Sequence, residues 1–173
     1  GICGFFEPGK DQDGAARLEK MLAASRAATS TSIKHAGPGG ALAAFGSDAP
    51  ASLLSVGEFR LAVIGHPALQ RDGHRVADLA AVADALRRDW TDALPNIGGD
   101  FALAAWDPER SRSLLAVDRT GMRRLAFVRV GGAVAFASTL DALCGFPGVQ
   151  RRLSPQAIYD YLYFHVCPAP YSI

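Results

Sequence analysis

Apolar residues fill positions 2–6 and Glu7-Pro8-Gly9 breaks the run, the pattern of a short buried strand followed by a turn. Leu18, Met21 and Leu22 recur at helical spacing behind Asp13, which predicts a helix over 14–26 with Asp13 as its N-cap. Residues 27–40 are rich in Ser, Thr and Gly and predict a loop holding one strand. Short apolar runs at 41–44, 53–56 and 59–64 predict strands, the last stopped by Gly65-His66-Pro67. Beyond a loop through Asp72-Gly73, Val76, Leu79, Ala83, Leu86 and Trp90 share one side of a predicted helix over 76–90. Residues 92–96 close it.

Strands are predicted at 100–107, 113–118, 125–130 and 133–137, joined by polar or Gly-rich turns, and they read as one antiparallel meander. The runs at 101–106 and 133–137 are apolar at successive positions, so sheet should be covered on both faces. Residues 139–143 read as a short helix. Ser154 and Pro155 open a last helix over 154–165, as N-cap and first helical residue, and Pro168 and Pro170 follow it. The class is α+β, with helices 14–26, 76–90 and 154–165 covering the outer faces of two stacked sheets.

The length, 173 residues, argues for one domain, 1–173. With 18 Lys+Arg against 17 Asp+Glu, the chain lacks the basic excess of a dedicated nucleic-acid binder. No run approaches the ~20 apolar residues of a membrane span. The first residues carry no basic leader, so the expected location is cytoplasmic. Cys3, Cys144 and Cys167 form no CxxC pair, so no zinc site and no disulfide framework is expected.

Three ordered blocks carry a stronger signal. They are Gly99-Asp100-Phe101-Ala102-Leu103-Ala104-Ala105-Trp106-Asp107, then Leu114 through Leu125 with Val117-Asp118-Arg119-Thr120-Gly121 at its centre, then Phe136-Ala137-Ser138-Thr139-Leu140-Asp141-Ala142-Leu143. They resemble the class II glutamine amidotransferase domain at the N-terminus of asparagine synthetases, whose blocks read G-x-F-A-[FL]-A-x-[WY]-D, R-D-x-x-G and F-A-S-E-x-K-A-L. The likeness is weak before residue 95 and strong after it. It implies an N-terminal-nucleophile hydrolase fold, a four-layer αββα sandwich of two antiparallel sheets. It also implies a following ATP-using ligase domain, expected beyond residue 173 and absent from this chain. ATP and Mg belong to that ligase domain, with no cofactor here.

In the family an N-terminal Cys is the nucleophile, an N-G-E motif builds the oxyanion hole, an Arg in R-L-S-I clamps the glutamine carboxylate, and an Asp holds its amine. Gly1-Ile2-Cys3-Gly4 matches positions two to five of the family's start, so the nucleophile position would precede Gly1. Cys3 is no substitute, because its nitrogen is an amide and it stands inside a strand. The N-G-E position reads Ile64-Gly65-His66, and an Ile side chain has no donor for an oxyanion. Residues 41–47 hold no Arg, and Arg26-Ala27-Ala28-Thr29 stands where the family's R-G-P-D loop would be. Asp78 matches the amine-binding Asp, or serves only as a first-turn carboxylate of a helix. His66 is either a new acid–base group or a solvated turn residue. Arg123 and Arg124 either face an acidic partner surface or are solvated, the second being the expectation, and Asp107 and the Asp118 block are expected to shape turns.

The leading expectation is a decayed glutamine pocket on an amide-forming ligase, as in β-lactam synthetases and the cyclases that close lasso peptides. The alternative is an active amidotransferase supplying ammonia to a synthetase, and a third is a stand-alone interaction protein. The expected partners are the ligase domain itself and a peptide or small-molecule carboxylate substrate, with no nucleic acid or membrane; a homodimer stays open.

Overall fold

Successive residues of β1 (Ile2–Phe6) are all buried, because the strand runs through the middle of a sheet with apolar layers on both sides. The structure, a computed structural model, describes residues 1–9, 13–25, 32–46, 51–71 and 73–168. In chain order, β1 is followed by α1 (Gly14–Ala24), β2 (Ser32–Gly37), β3 (Gly40–Phe45), β4 (Ala51–Val56) and β5 (Phe59–Gly65). Next come β6 (Ala68–Arg71), β7 (His74–Val76), α2 (Leu79–Arg88), α3 (Trp90–Ala93) and β8 (Ile97–Gly98). The last elements are β9 (Phe101–Asp107), β10 (Arg112–Val117), β11 (Ala126–Val130), β12 (Ala133–Ala137), α4 (Leu140–Cys144) and α5 (Pro155–Phe164).

One sheet has the strand order β11-β12-β1-β3-β2 and a second β10-β9-β5-β4, and every pairing in them is antiparallel. Strand alternation sorts the side chains into three apolar layers. Cys3, Phe5 and Ala43 meet Leu18 and Met21 of α1 outside the first sheet. Ile2, Leu42 and Ala44 meet Ala62, Ala104 and Phe136 between the sheets. Leu61, Val63 and Leu103 meet Val82 and Leu86 of α2 outside the second. The result is the expected αββα stack, with a small third sheet β7-β6-β8 at one end.

Four expectations are corrected. First, the predicted meander is two hairpins in different sheets. β9 pairs with β10, β11 pairs with β12, and the segment between crosses from one sheet to the other. Second, the helix predicted from residue 76 starts at Leu79. Val76 belongs to β7, which pairs with β6, and Asp78 caps the helix by accepting a hydrogen bond from the Ala80 amide at 2.9 Å. Third, Asp13 caps nothing. Its φ of 67° is left-handed rather than extended, and its side chain makes no cap bond. Instead α1 is fixed by Arg17, which pairs with the buried Glu7 and lies 4.2 Å from the Phe5 ring centroid and 4.6 Å from that of Phe146. Fourth, α5 is capped by Ser154 as expected but is mostly exposed, with only Ala157 and Asp160 buried. Residues 26–31, 47–50 and 169–173, where the R-G-P-D position, Ser47 and Pro170 fall, lie outside the described residues.

Candidate functional site

The ladder of β1 and β3 extends to Gly1, whose amine donates to the Phe45 carbonyl at 2.5 Å while Phe45 donates back at 2.8 Å. Gly1 has no room for a side chain: a Cβ there would come within 2.7 Å of the Phe45 ring and 2.9 Å of the Ser138 hydroxyl. By strand alternation, a side chain preceding Gly1 falls on the inner face with Ile2. Ile64, at the end of β5, packs against that same inter-sheet cluster. The position that the resemblance assigns to an oxyanion amide is therefore hydrocarbon facing hydrocarbon.

Beyond Ile64 two turns cross at van der Waals contact. Gly65 has a φ of 99°, and a Cβ on it would run into the Asp100 carbonyl. Gly99 has a φ of 100°, and a Cβ on it would run into the His66 carbonyl. The backbone amide of His66 donates to that Asp100 carbonyl at 2.7 Å. Only glycine satisfies both the positive φ and the approach.

The crossing holds a charged cluster. His66 Nδ1 lies 3.3 Å from Asp100 Oδ1, with the imidazole side chain 65% exposed. Arg123 donates twice to Asp100 Oδ2, from Nη2 at 2.6 Å and Nε at 3.0 Å. These bonds from Arg123 hold the Asp100 carboxyl below its ordinary range, with a smaller contribution from His66. Arg123 is thus a partner of Asp100 and not the solvated residue expected. Asp118 gathers the next turn. It accepts from the Thr120 hydroxyl at 2.5 Å, from the amides of Thr120, Met122 and Arg123, and from Phe101 on β9. Those donors, the Thr120 hydroxyl first, depress its carboxyl strongly. Asp107 shapes its own turn as expected, accepting from the Arg110 amide at 3.2 Å and pairing with Arg110 and Arg112.

The structure therefore joins Gly65 and His66 to Asp100 and Arg123, while the partly buried Ile64 packs against the inter-sheet cluster and Asp78 spends its carboxylate on its own helix. Asp100 escaped notice as a site residue, although Gly98-Gly99 before it signals a close backbone approach. Cys3 is fully buried, and burial pushes its thiol up to about 12, which leaves no thiolate at neutral pH. Among the described residues no three His, Cys, Asp or Glu side chains converge as metal ligands, and no helix is long and apolar enough to cross a membrane.

The glutamine amidotransferase domain model matches residues 66–173. A similar protein is asparagine synthetase [glutamine-hydrolyzing] 3 of Bacillus subtilis (strain 168), 29% identical over 62 residues, which are 36% of this chain and 10% of that protein. The matched part holds the Asp100–Arg123 cluster and the Asp118 turn as well as β9 to β12. On the family match and the antiparallel α+β architecture together, the chain belongs to the glutamine amidotransferase domain family.

Proposed function

We propose that this chain is the glutaminase-like domain of an asparagine-synthetase-like, ATP-dependent, amide-forming ligase, and that its own glutamine pocket is inactive. The observation that carries the reading is Ile64, whose side chain packs into the inter-sheet layer where an oxyanion amide is required. Loss of one such donor costs about 3–4 kcal/mol in the transition state, roughly a hundred- to thousandfold in rate. The substitution at 66 points the same way: His66 is exposed and tied to Asp100 instead of standing over an inter-sheet pocket. The domain then acts as support and interface for the ligase half, which binds ATP and Mg and takes a peptide or small carboxylate with an amine as substrates in the cytoplasm. A homodimer is compatible with this role.

A second reading, an active amidotransferase feeding ammonia to a synthetase, is favoured by one feature. Gly65 keeps the tight, left-handed turn at the end of β5 that such a pocket uses. The two readings part in the full-length protein given ATP, Mg, a carboxylate and an amine. The proposed reading expects pyrophosphate release that does not depend on glutamine. Release that requires glutamine favours the second reading, and no ATP turnover with any carboxylate removes the ligase assignment.

A further inference from the structure

The crossover joins two edge strands, β10 of one sheet and β11 of the other, and the apolar layer between the sheets is open along them. Phe127 pairs with Phe136, which is fully buried between the sheets, so Phe127 belongs to the inward face of its sheet. Val117 pairs with Ala102, two residues before Ala104 of the same layer, and so faces inward from the other sheet. Yet Phe127 is 63% exposed and Val117 46%. Leu115 and Leu125, two residues before them on the same faces, are only partly buried against the inter-sheet cluster. The apolar layer therefore runs out into solvent here.

β11 adds a backbone edge to that apolar face. Among the described residues it pairs with β12 on one side and with no strand on the other. In an antiparallel ladder every second residue then turns its N–H and C=O outward, unpaired. The charges around this edge have one sign. Arg124 and Arg129 flank Phe127 and are exposed, Arg129 on the same inward face. Gly148 comes against Val130 at the end of β11, where an added Cβ would lie 2.7 Å from Cγ1, and the exposed Arg151 and Arg152 follow it. None of these four arginine side chains has a partner among the described residues. Asp100 is spent on Arg123, and the exposed Asp141 stands on α4, which packs on the opposite face of the sheet. The other edge of that sheet differs, because Lys34 of β2 is already paired with Glu19 at 2.6 Å.

A lone charge in an edge strand is a common guard against pairing. Here Phe127 stands bare between two charges, so the pattern selects a partner instead of refusing all. A second copy would set these arginines against their own kind. A nucleic-acid strand would meet the arginines but offers nothing at strand spacing to the outward N–H and C=O groups. What fits is extended backbone with apolar side chains beside Leu125 and Phe127 and carboxylates beside the arginines.

We infer that the β11 edge binds an extended acidic segment of a partner protein, which adds as a sixth strand antiparallel to β11, with a carboxylate opposite Arg129 and an apolar side chain beside Phe127. Strand addition to an exposed sheet edge is a general recognition mode. The inference does not depend on whether the glutamine pocket works.

The test uses the full-length protein and acetyl-Glu-Val-Ile-Thr-Val-Glu-amide, whose first residue falls opposite Arg129 and whose last falls opposite Arg124. One control is acetyl-Lys-Val-Ile-Thr-Val-Lys-amide. The other puts Pro-Pro in place of Ile-Thr, so that one of the two lost N–H groups faces β11 in either hydrogen-bonding phase. Calorimetry should show saturable binding of the acidic peptide and of neither control, and amide exchange over residues 124–130 should slow as it binds. Arg129→Glu should weaken binding about fivefold, as one cross-strand ion pair gives way to like charges. Acetyl-Lys-Val-Ile-Thr-Val-Glu-amide should bind that variant better than it binds the wild type. No binding at millimolar acidic peptide, equal binding of either control, unchanged exchange over 124–130, or displacement of the peptide by a single-stranded oligodeoxythymidylate would overturn the inference.

Discussion

Arg123 grips the carboxylate of Asp100 through two hydrogen bonds, 2.6 and 3.0 Å long, and so ties the crossover between the two sheets to the turn that precedes β9. Asp118 holds the same crossover from inside with five accepted bonds, including the one from Phe101. The two carboxylates together fix the only covalent link between the β9–β10 and β11–β12 hairpins.

Their unequal burial gives a ranking. Arg123→Ala leaves Asp100 partly in water and should lower the melting temperature by only a few degrees. Asp118→Ala strips the acceptor from four backbone amides and a hydroxyl and should lower it considerably more. Both carboxyls are depressed in the folded protein, so their contribution is full above the ordinary carboxyl pKa and is lost as pH falls through the folded value. Differential scanning calorimetry of both variants checks the order; equal losses would show that the crossover does not depend on Asp118.

Gly65 should tolerate no side chain. Gly65→Ala combines a positive φ with a collision against the Asp100 backbone and should cost about 3 kcal/mol. Gly57→Ala is the matched control, because Gly57 also has a positive φ (59°) but nothing within 4 Å of its Cβ direction. That change should cost about 1 kcal/mol. Urea unfolding measures both, and similar costs would mean that the crossing of the two turns is not tight.

How much of this was legible in the chain differs from element to element. The αββα class was, because apolar runs such as Phe101 to Trp106 need cover on two faces. The sheet assignment of β11 and β12 was not. Periodicity finds strands but not partners, and the crossover is set by Asp118, whose bonds reach across 17 residues to Phe101. Asp13 misled because a capping residue type is only half of a cap; the other half is an extended backbone, and residue 13 lacks it. At the site, Ile64 and Gly65 could be placed by motif position. The Asp100–Arg123 pair could not, since no spacing rule links residues 23 apart.

His35 should make stability fall on the acid side of neutrality. It lies 3.1 Å from Arg60 Nε, a donor, so its ring must be neutral to accept. Burial first, and Arg60 second, lower its pKa from 6.5. A lowered folded pKa means that the unfolded chain takes the proton first. The contribution is complete above about 6.5 and is lost as pH falls from there towards the folded value. The melting temperature of the wild type should therefore drop more steeply between pH 7 and pH 5.5 than that of His35→Gln. Parallel curves would contradict this.

Cys3 should be chemically silent. With its thiol pushed up to about 12 and fully buried, it should resist iodoacetamide at pH 8 in the native protein, whereas the partly buried Cys144 and Cys167 should label first. Peptide mapping of the alkylated protein settles the order. Rapid native labelling of Cys3 would mean that β1 opens far more readily than its central place in the sheet implies.

The account turns on Ile64, which packs against the inter-sheet cluster at the position that the resemblance assigns to an oxyanion amide. Glutamate release from glutamine by the full-length protein, followed to many turnovers with and without the acceptor carboxylate and ATP, tests it most directly. The prediction is no release above the spontaneous rate under either condition. Sustained, enzyme-dependent glutamate production would contradict it and would make this domain a working glutaminase.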